Sequence, residues 1–93
     1  INRLSGYFML IEKKLTIQND QGLHARPAAI FVQIANKYES DIVVKKGRQE
    51  VNGKSIMGLL TLAAEKGSML HIKVNGPDAK KAILELEKVL LGD

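Results

Sequence analysis

The residues of this chain best suited to chemistry lie in the run 22–28, which reads Gly-Leu-His-Ala-Arg-Pro-Ala. His24 stands where a turn should become a helix, Arg26 follows two residues later, and Pro27 falls within the expected first helical turn. The first amides of a helix lack intrahelical acceptors and lie at the positive end of the helix dipole, so they bind anions, phosphate above all. Neutral imidazole is a good nucleophile near pH 7. The spacing therefore predicts that His24 takes up a phosphoryl group.

Two groups are expected to assist His24. The backbone amides of Ala25 and Arg26 can bind the oxygens of an incoming phosphoryl group, and the Arg26 guanidinium can add charge-assisted hydrogen bonds. Pro27 is tolerated because the amides of the first turn have no partners in any case. Taken alone, a histidine in a turn is more often an exposed or capping residue than a nucleophile, so this alternative stays open.

The periodicity of the apolar residues predicts the elements that hold this run. Strands are expected at 11–17, 41–46, 48–52 and 68–75, and helices at 25–37, at 55–62 with Ser55 as N-cap, and after Asp78 as cap. The order is β-α-β-β-α-β-α. Short turns between strands imply antiparallel pairing, so we predict an α+β fold, an open-faced two-layer sandwich with a four-stranded antiparallel sheet and three helices on one face.

Length and composition restrict the function classes. Ninety-three residues suit one domain, and we expect residues 1–9 to be a mobile or non-native extension of a domain at 10–93. No apolar run approaches the roughly 20 residues that span a bilayer, so no membrane insertion is expected. The chain has no cysteine and two histidines, which favours a cytoplasmic protein with no metal and no cofactor. The net charge of +4 is dispersed along the chain.

Two motifs together resemble the HPr family of phosphocarrier proteins of the bacterial sugar phosphotransferase system. They are the run 22–28 and the run 54–58, Lys-Ser-Ile-Met-Gly, and the resemblance extends over about residues 10–91. It implies that His24 is phosphorylated on Nδ1 by phospho-enzyme I and passes the group to a sugar-specific enzyme IIA component, with Arg26 as its electrostatic partner. Such a chain acts as a substrate and relay more than as a self-contained enzyme.

Ser55 has a structural and a regulatory interpretation. As an N-cap it would simply satisfy an amide of the following helix. The resemblance to HPr proteins of Gram-positive type implies that HPr kinase/phosphorylase phosphorylates Ser55, which would weaken docking to enzyme I by charge repulsion. It also implies that the phosphorylated form acts with catabolite control protein in catabolite repression.

A partner-docking patch is expected beside His24. Leu59 and Leu62 suffice for the buried side of so short a helix, so Ile56 and Met57 should face solvent, and exposed apolar side chains indicate a binding surface. The resemblance implies the same patch. Its predicted members are Ala29, Ile56, Met57 and Leu60, with Gln33 and Lys54 at the rim.

Three alternatives remain. A regulatory paralogue dedicated to catabolite repression typically lacks the active histidine, so His24 argues against it. A carrier of the nitrogen branch fits the motif equally well. A nucleic-acid-binding module would need exposed aromatic side chains or a clustered basic stripe, and the chain has two Phe, two Tyr and dispersed charge. We expect no nucleic-acid partner, a monomer, and no role for His71, which should point to solvent from its strand.

Overall fold

The computed structural model describes residues 9–92, and its elements follow the predicted order. The strands are β1 (Met9–Thr16), β2 (Asp41–Lys46), β3 (Gln49–Asn52) and β4 (Met69–Gly76). The helices are α1 (Ala25–Ala35), α2 (Ile56–Thr61) and α3 (Ala79–Leu91). The predicted fold class is confirmed.

The four strands form one antiparallel sheet in the order β1-β4-β2-β3. Side chains alternate between the two faces of a strand, so Leu70, Ile72 and Val74 of the central strand β4 point to the same side. All three are fully buried. The register sets Leu70 opposite Leu15 and Ile72 opposite Val44, which extends the apolar face across three strands. This face is the floor of the core.

The helices cover that floor with their apolar stripes. Phe31 of α1 and Leu86 of α3 are fully buried, as the helical spacing of the apolar residues predicts. In α2, Leu59 and Leu62 point inward with exposed fractions of 0% and 1%. The opposite face of the sheet carries polar residues, including His71, whose Nε2 lies 2.7 Å from Glu12 Oε1.

Some boundaries differ from the predicted ones by two residues. β1 starts at Met9, where it pairs with Gly76, so Met9 of the predicted extension belongs to the sheet. The other residues of that extension, 1–8, lie outside the described residues. Helix α1 ends at Ala35, and the amide and side chain of the C-cap residue Asn36 both donate to the Val32 carbonyl, at 2.9 Å each.

Asp78 occupies the N-cap position of α3, but the prediction that it caps this helix is wrong for its side chain. Its carboxylate instead accepts hydrogen bonds from the Glu39 amide at 2.9 Å, the Ser40 amide at 3.0 Å and the Ser40 hydroxyl at 2.5 Å. The Ser40 hydroxyl, helped by the backbone amides, lowers the pKa of Asp78. Asp78 therefore fastens the connection between α1 and β2 to the start of α3.

Candidate functional site

The turn before α1 fixes the position of His24. Gly22 has a φ of +71°, and a Cβ added there would lie 2.4 Å from the Ala64 carbonyl oxygen. Glycine is thus required both for the left-handed backbone and for the close approach. The next residue, Leu23, is buried and donates its amide to the same Ala64 carbonyl at 2.8 Å. This contact holds the start of α1 against the segment that follows α2.

A lysine of the sheet stabilises the segment that follows α2. Ala63 has a φ of +49°, a strained conformation for a residue with a side chain. Lys46 Nζ donates to the carbonyls of Leu62 and Ala63, at 3.2 Å each. A cation at the C-terminal end of a helix is favourable because the carbonyls there have no helical partners. Strand β2 thereby stabilises the surface on which the His24 turn rests.

His24 is the N-cap of α1, with φ −97° and ψ −169°. Its carbonyl accepts the Ala28 amide at 3.0 Å, but within the part of the chain described here its half-buried imidazole makes no capping hydrogen bond. Over the same residues, the amides of Ala25 and Arg26 have no acceptor. The structure therefore combines a nucleophilic ring with two unbonded donors at a helix start, an arrangement that suits transfer of a phosphoryl group.

An open depression of about 430 Å³ adjoins His24. His24 and the exposed Arg26 both line it, so the structure brings these two predicted residues together. Ile30 of α1 and Lys88 and Val89 of α3 also line it. Neither Ile30 nor Lys88 was predicted. Ile30 lies three residues after Pro27 and so on the same side of α1, which could have indicated that it lies near the site. No short-range pattern in the sequence connects Lys88 to His24.

Ser55 lies at the N-cap of α2, as predicted, and its Oγ accepts the Gly58 amide at 3.0 Å. Gly58 leaves little room there, since a Cβ at this position would lie 3.2 Å from Val51 Cβ. Lys54 Nζ donates to the Tyr38 carbonyl at 2.7 Å, which connects the end of α1 to the residue before Ser55. The hydroxyl of Ser55 is thus engaged in the backbone of α2, and the residue remains half-exposed.

The predicted docking residues divide by exposure. Met57 is 68% exposed and Ile56 is 36% exposed, which confirms that both face outward. Gln33 is exposed, Ala29 and Lys54 are half-buried, and Leu60 is half-buried against the core. Of the described residues that line the depression beside His24, none belongs to this predicted set. The predicted docking residues lie on α1, on α2 and, for Lys54, just before α2.

Other kinds of site find no support within residues 9–92. There, no group of three His, Asp or Glu side chains is placed to hold a metal ion. None of the helices over this range has the length and apolar character that crossing a membrane requires.

Comparison with known proteins points to one family. Residues 11–91 match the family described as "PTS HPr component phosphorylation site". The chain is 43% identical over 74 residues to the HPr-like protein Crh of Halalkalibacterium halodurans, covering 80% of this chain and 88% of Crh. It is similar to the structure of the phosphocarrier protein HPr from Bacillus anthracis, with 42% identity, a TM-score of 0.83 and coverage of 87% and 96%. The structure of an HPr dimer from Thermoanaerobacter tengcongensis matches with 44% identity, a TM-score of 0.68 and coverage of 81% and 86%.

Proposed function

The chain belongs to the HPr family of the phosphotransferase system, and from this premise we propose that it carries a phosphoryl group on His24. It accepts the group from phospho-enzyme I and passes it to a sugar-specific enzyme IIA. The observation that supports this proposal best is the position of His24 at the N-cap of α1. Among residues 9–92 its ring makes no capping hydrogen bond, and the neighbouring amides of Ala25 and Arg26 have no acceptor.

The chemistry follows from this placement. A lone pair on the imidazole attacks phosphorus, a P–N bond forms, and the bond between phosphorus and the donor breaks with its electrons returning to the donor. The phosphoryl oxygens then lie against the amides of Ala25 and Arg26 and the Arg26 guanidinium. Because the helix start stabilises the charge without sealing it from solvent, the group stays available for the acceptor protein.

Replacement of His24 by Ala tests the proposal. We expect His24→Ala to abolish labelling of the protein by enzyme I and radioactive phosphoenolpyruvate, because no other residue holds an imidazole at the helix start. His71→Ala is the matched control, since His71 lies on the outer face of the sheet, and it should be labelled like the wild type. The labelled bond should be labile in acid and stable in alkali. Labelling that survives in His24→Ala would refute the assignment.

We further propose that Ser55 is a regulatory phosphorylation site of HPr kinase/phosphorylase, with catabolite control protein as the partner of the modified form. The half-exposed Ser55 and the outward Ile56 and Met57 beside it support this proposal. A phosphate there would add negative charge next to the docking patch and weaken docking of enzyme I.

Incubation with ATP and the kinase tests the regulatory site. Mass spectrometry should find one phosphate on Ser55 and none in Ser55→Ala. Ser68→Ala is the matched control, because the Ser68 hydroxyl also accepts a backbone amide, that of Glu65, at 3.0 Å, the distance found for Ser55. Phosphate on any other residue, or on none, would contradict the proposal.

An HPr-like regulator without carrier activity is the second candidate, favoured by the 43% identity to Crh. We place the carrier first because His24 is present, whereas the regulatory paralogues typically lack the active histidine. The proposed carrier acts in the cytoplasm as a monomer. The labelling experiment separates the two candidates, since only the carrier accepts phosphate from enzyme I.

A further inference from the structure

Part of the lining of the depression beside His24 belongs to α3. Lys88 and Val89 of the last helix line it together with His24, Arg26 and Ile30, and the exposed Asp20 lines it as well. A volume of about 430 Å³ corresponds to a width on the order of 10 Å, close to the Debye length at about 0.1 M salt. The charge of Lys88 therefore acts on the same space as that of Arg26.

The two cations of this depression lie outside the ion pairs of the described residues, although the charge of Lys88 is one of the minor causes that lower the pKa of Glu85. Within residues 9–92, neither Arg26 nor Lys88 forms an ion pair. The nearby carboxylates already have partners of their own. Asp20 pairs with Lys66 at 2.9 Å, and Glu87 pairs with Lys13 at 2.9 Å. Glu85 accepts a hydrogen bond from Tyr38 and also pairs with Lys37, at 3.3 Å. The hydrogen bond from Tyr38, and then that from Lys37, lowers the pKa of Glu85, which keeps this carboxylate engaged.

Apolar surface lies between the cations. Ile30 is 42% exposed, although it sits on a helix whose opposite side is fully buried. Pro27 and the half-buried Val89 lie next to it in the lining. Apolar surface and two cations in one depression fit a carboxylate side chain that carries apolar atoms beside its charge, such as an acidic residue on the surface of a protein.

A donor protein must cover this depression. Transfer requires the reacting atoms to come within about 3–3.5 Å of each other, so the donor surface closes over His24. A standard interface covers about 800 Å² on each partner, which is a disc with a radius of roughly 16 Å. Lys88 lines the same depression as His24, which is on the order of 10 Å wide, and therefore falls inside that disc. Two cations enclosed in an interface are costly unless the partner supplies negative charge.

We propose that this depression, formed by Arg26, Ile30 and Lys88, is a second docking contact for the phosphoryl-donor protein and receives an acidic side chain of that protein. The proposal rests on the proposed carrier function and extends the docking surface from α1 and α2 to the end of α3. Lys88 strengthens the association with the donor protein, whereas His24 and its neighbours carry out the chemical step.

Charge reversal at Lys88 tests this contact. We expect Lys88→Glu to raise the KM of this protein in phosphorylation by enzyme I about five-fold with kcat unchanged, a fraction of the roughly 10- to 1000-fold that a whole charged surface adds to association rates. The rise should diminish as salt is added. Lys80→Glu is the matched control, because Lys80 is an exposed lysine in the first turn of the same helix, and its KM should stay at the wild-type value.

Three results would overturn the contact. They are an unchanged KM in Lys88→Glu, equal rises in Lys88→Glu and Lys80→Glu, and a fall in kcat alone, which would assign Lys88 to the phosphoryl group. Circular dichroism verifies that Lys88→Glu is folded, and Lys88→Ala, which removes the charge without reversing it, should give a smaller rise in KM. Absence of labelling in the wild type would overturn the carrier function itself, whereas normal labelling with an unchanged KM overturns the docking contact alone.

Discussion

The reactivity proposed for His24 depends on the absence of a capping hydrogen bond from its ring among the described residues. Serine, aspartate and asparagine are the usual N-cap residues because their side chains bond to the amides behind them. His24 holds the N-cap position of α1 without such a bond within the described residues, and the amides of Ala25 and Arg26 stay unbonded over the same range. The helix gives up one capping bond, and an anion-binding position is left beside a nucleophile.

Arg26 should contribute to the rate of transfer. We expect Arg26→Ala to slow phosphoryl transfer to His24 by roughly ten- to hundred-fold, because a hydrogen bond to a charged group contributes about 1.5–3 kcal/mol. Rapid-quench measurement of labelling by enzyme I gives the rate. Arg48→Ala is the control, since Arg48 is equally exposed but lies in the turn between β2 and β3. Equal rates for the two variants would remove the role assigned to Arg26.

At the scale of elements, α1 is fixed at both ends by hydrogen bonds to residues from elsewhere in the chain. Its start rests on Ala64, in the segment that Lys46 of β2 braces. Beyond its end, Ser40 is fully buried and bonds to Asp78 at 2.5 Å. Gly76 allows this approach, because a Cβ there would lie 2.4 Å from Ser40 Oγ. The orientation of α1, and so of His24, is thereby set by the sheet and α3.

The Asp78 clamp should make stability depend on pH. The pKa of Asp78 is lowered in the folded protein, chiefly by the Ser40 hydroxyl. A lowered pKa adds stability above the unfolded value of 3.8, and that stability is lost as the pH falls through the folded value. We expect Asp78→Asn to reduce the free energy of unfolding by about 1–2 kcal/mol at neutral pH, because charged hydrogen bonds are stronger than neutral ones.

Urea unfolding across the acid range measures this effect. The difference between wild type and Asp78→Asn should shrink as the pH falls from 3.8 through the lower pKa of the folded protein, below which both side chains are uncharged. Asp41→Asn is the control, because Asp41 is an exposed carboxylate at the start of β2, and its effect should stay small at every pH. A difference that does not vary with pH would contradict the electrostatic origin of the clamp.

At the scale of the whole molecule, the outer face of the sheet bears on assembly. The register places Lys14 and Lys45 on either side of His71, so this face is polar. The edge strand β1 carries Glu12 and Lys13 among other charged residues, and charge on an edge opposes pairing with a second sheet. These features favour a monomer, although a related HPr has been crystallised as a dimer.

Light scattering after size-exclusion chromatography should therefore give a mass near 10.2 kDa. The measurement should be made at several protein concentrations, because a weak dimer dissociates on dilution. A mass near twice this value at every concentration would contradict the monomer. Repetition at high salt then shows whether the charges of β1 and the outer face control assembly, since salt screens exposed charges.

The element order, the inward residues of β4 and the position of His24 at a helix start could all be predicted from the amino-acid sequence. These features depend on the periodicity of apolar residues and on the amides at helix starts that lack intrahelical acceptors. Both can be recognised within a short stretch of sequence. The outward Ile56 and Met57 were predictable for the same reason, because Leu59 and Leu62 already supply the buried side of α2.

The strand order, the partner of Asp78 and the presence of Lys88 in the same depression as His24 follow from the three-dimensional packing alone. Asp78 looked like a cap because aspartate before a helix usually bonds to its amides, but the buried Ser40 from a distant turn competes for the same carboxylate. Lys88 and His24 line the same depression because α3 packs against α1 over the sheet. Such pairings depend on how the apolar faces of whole elements fit together, and no local pattern of residues encodes that fit.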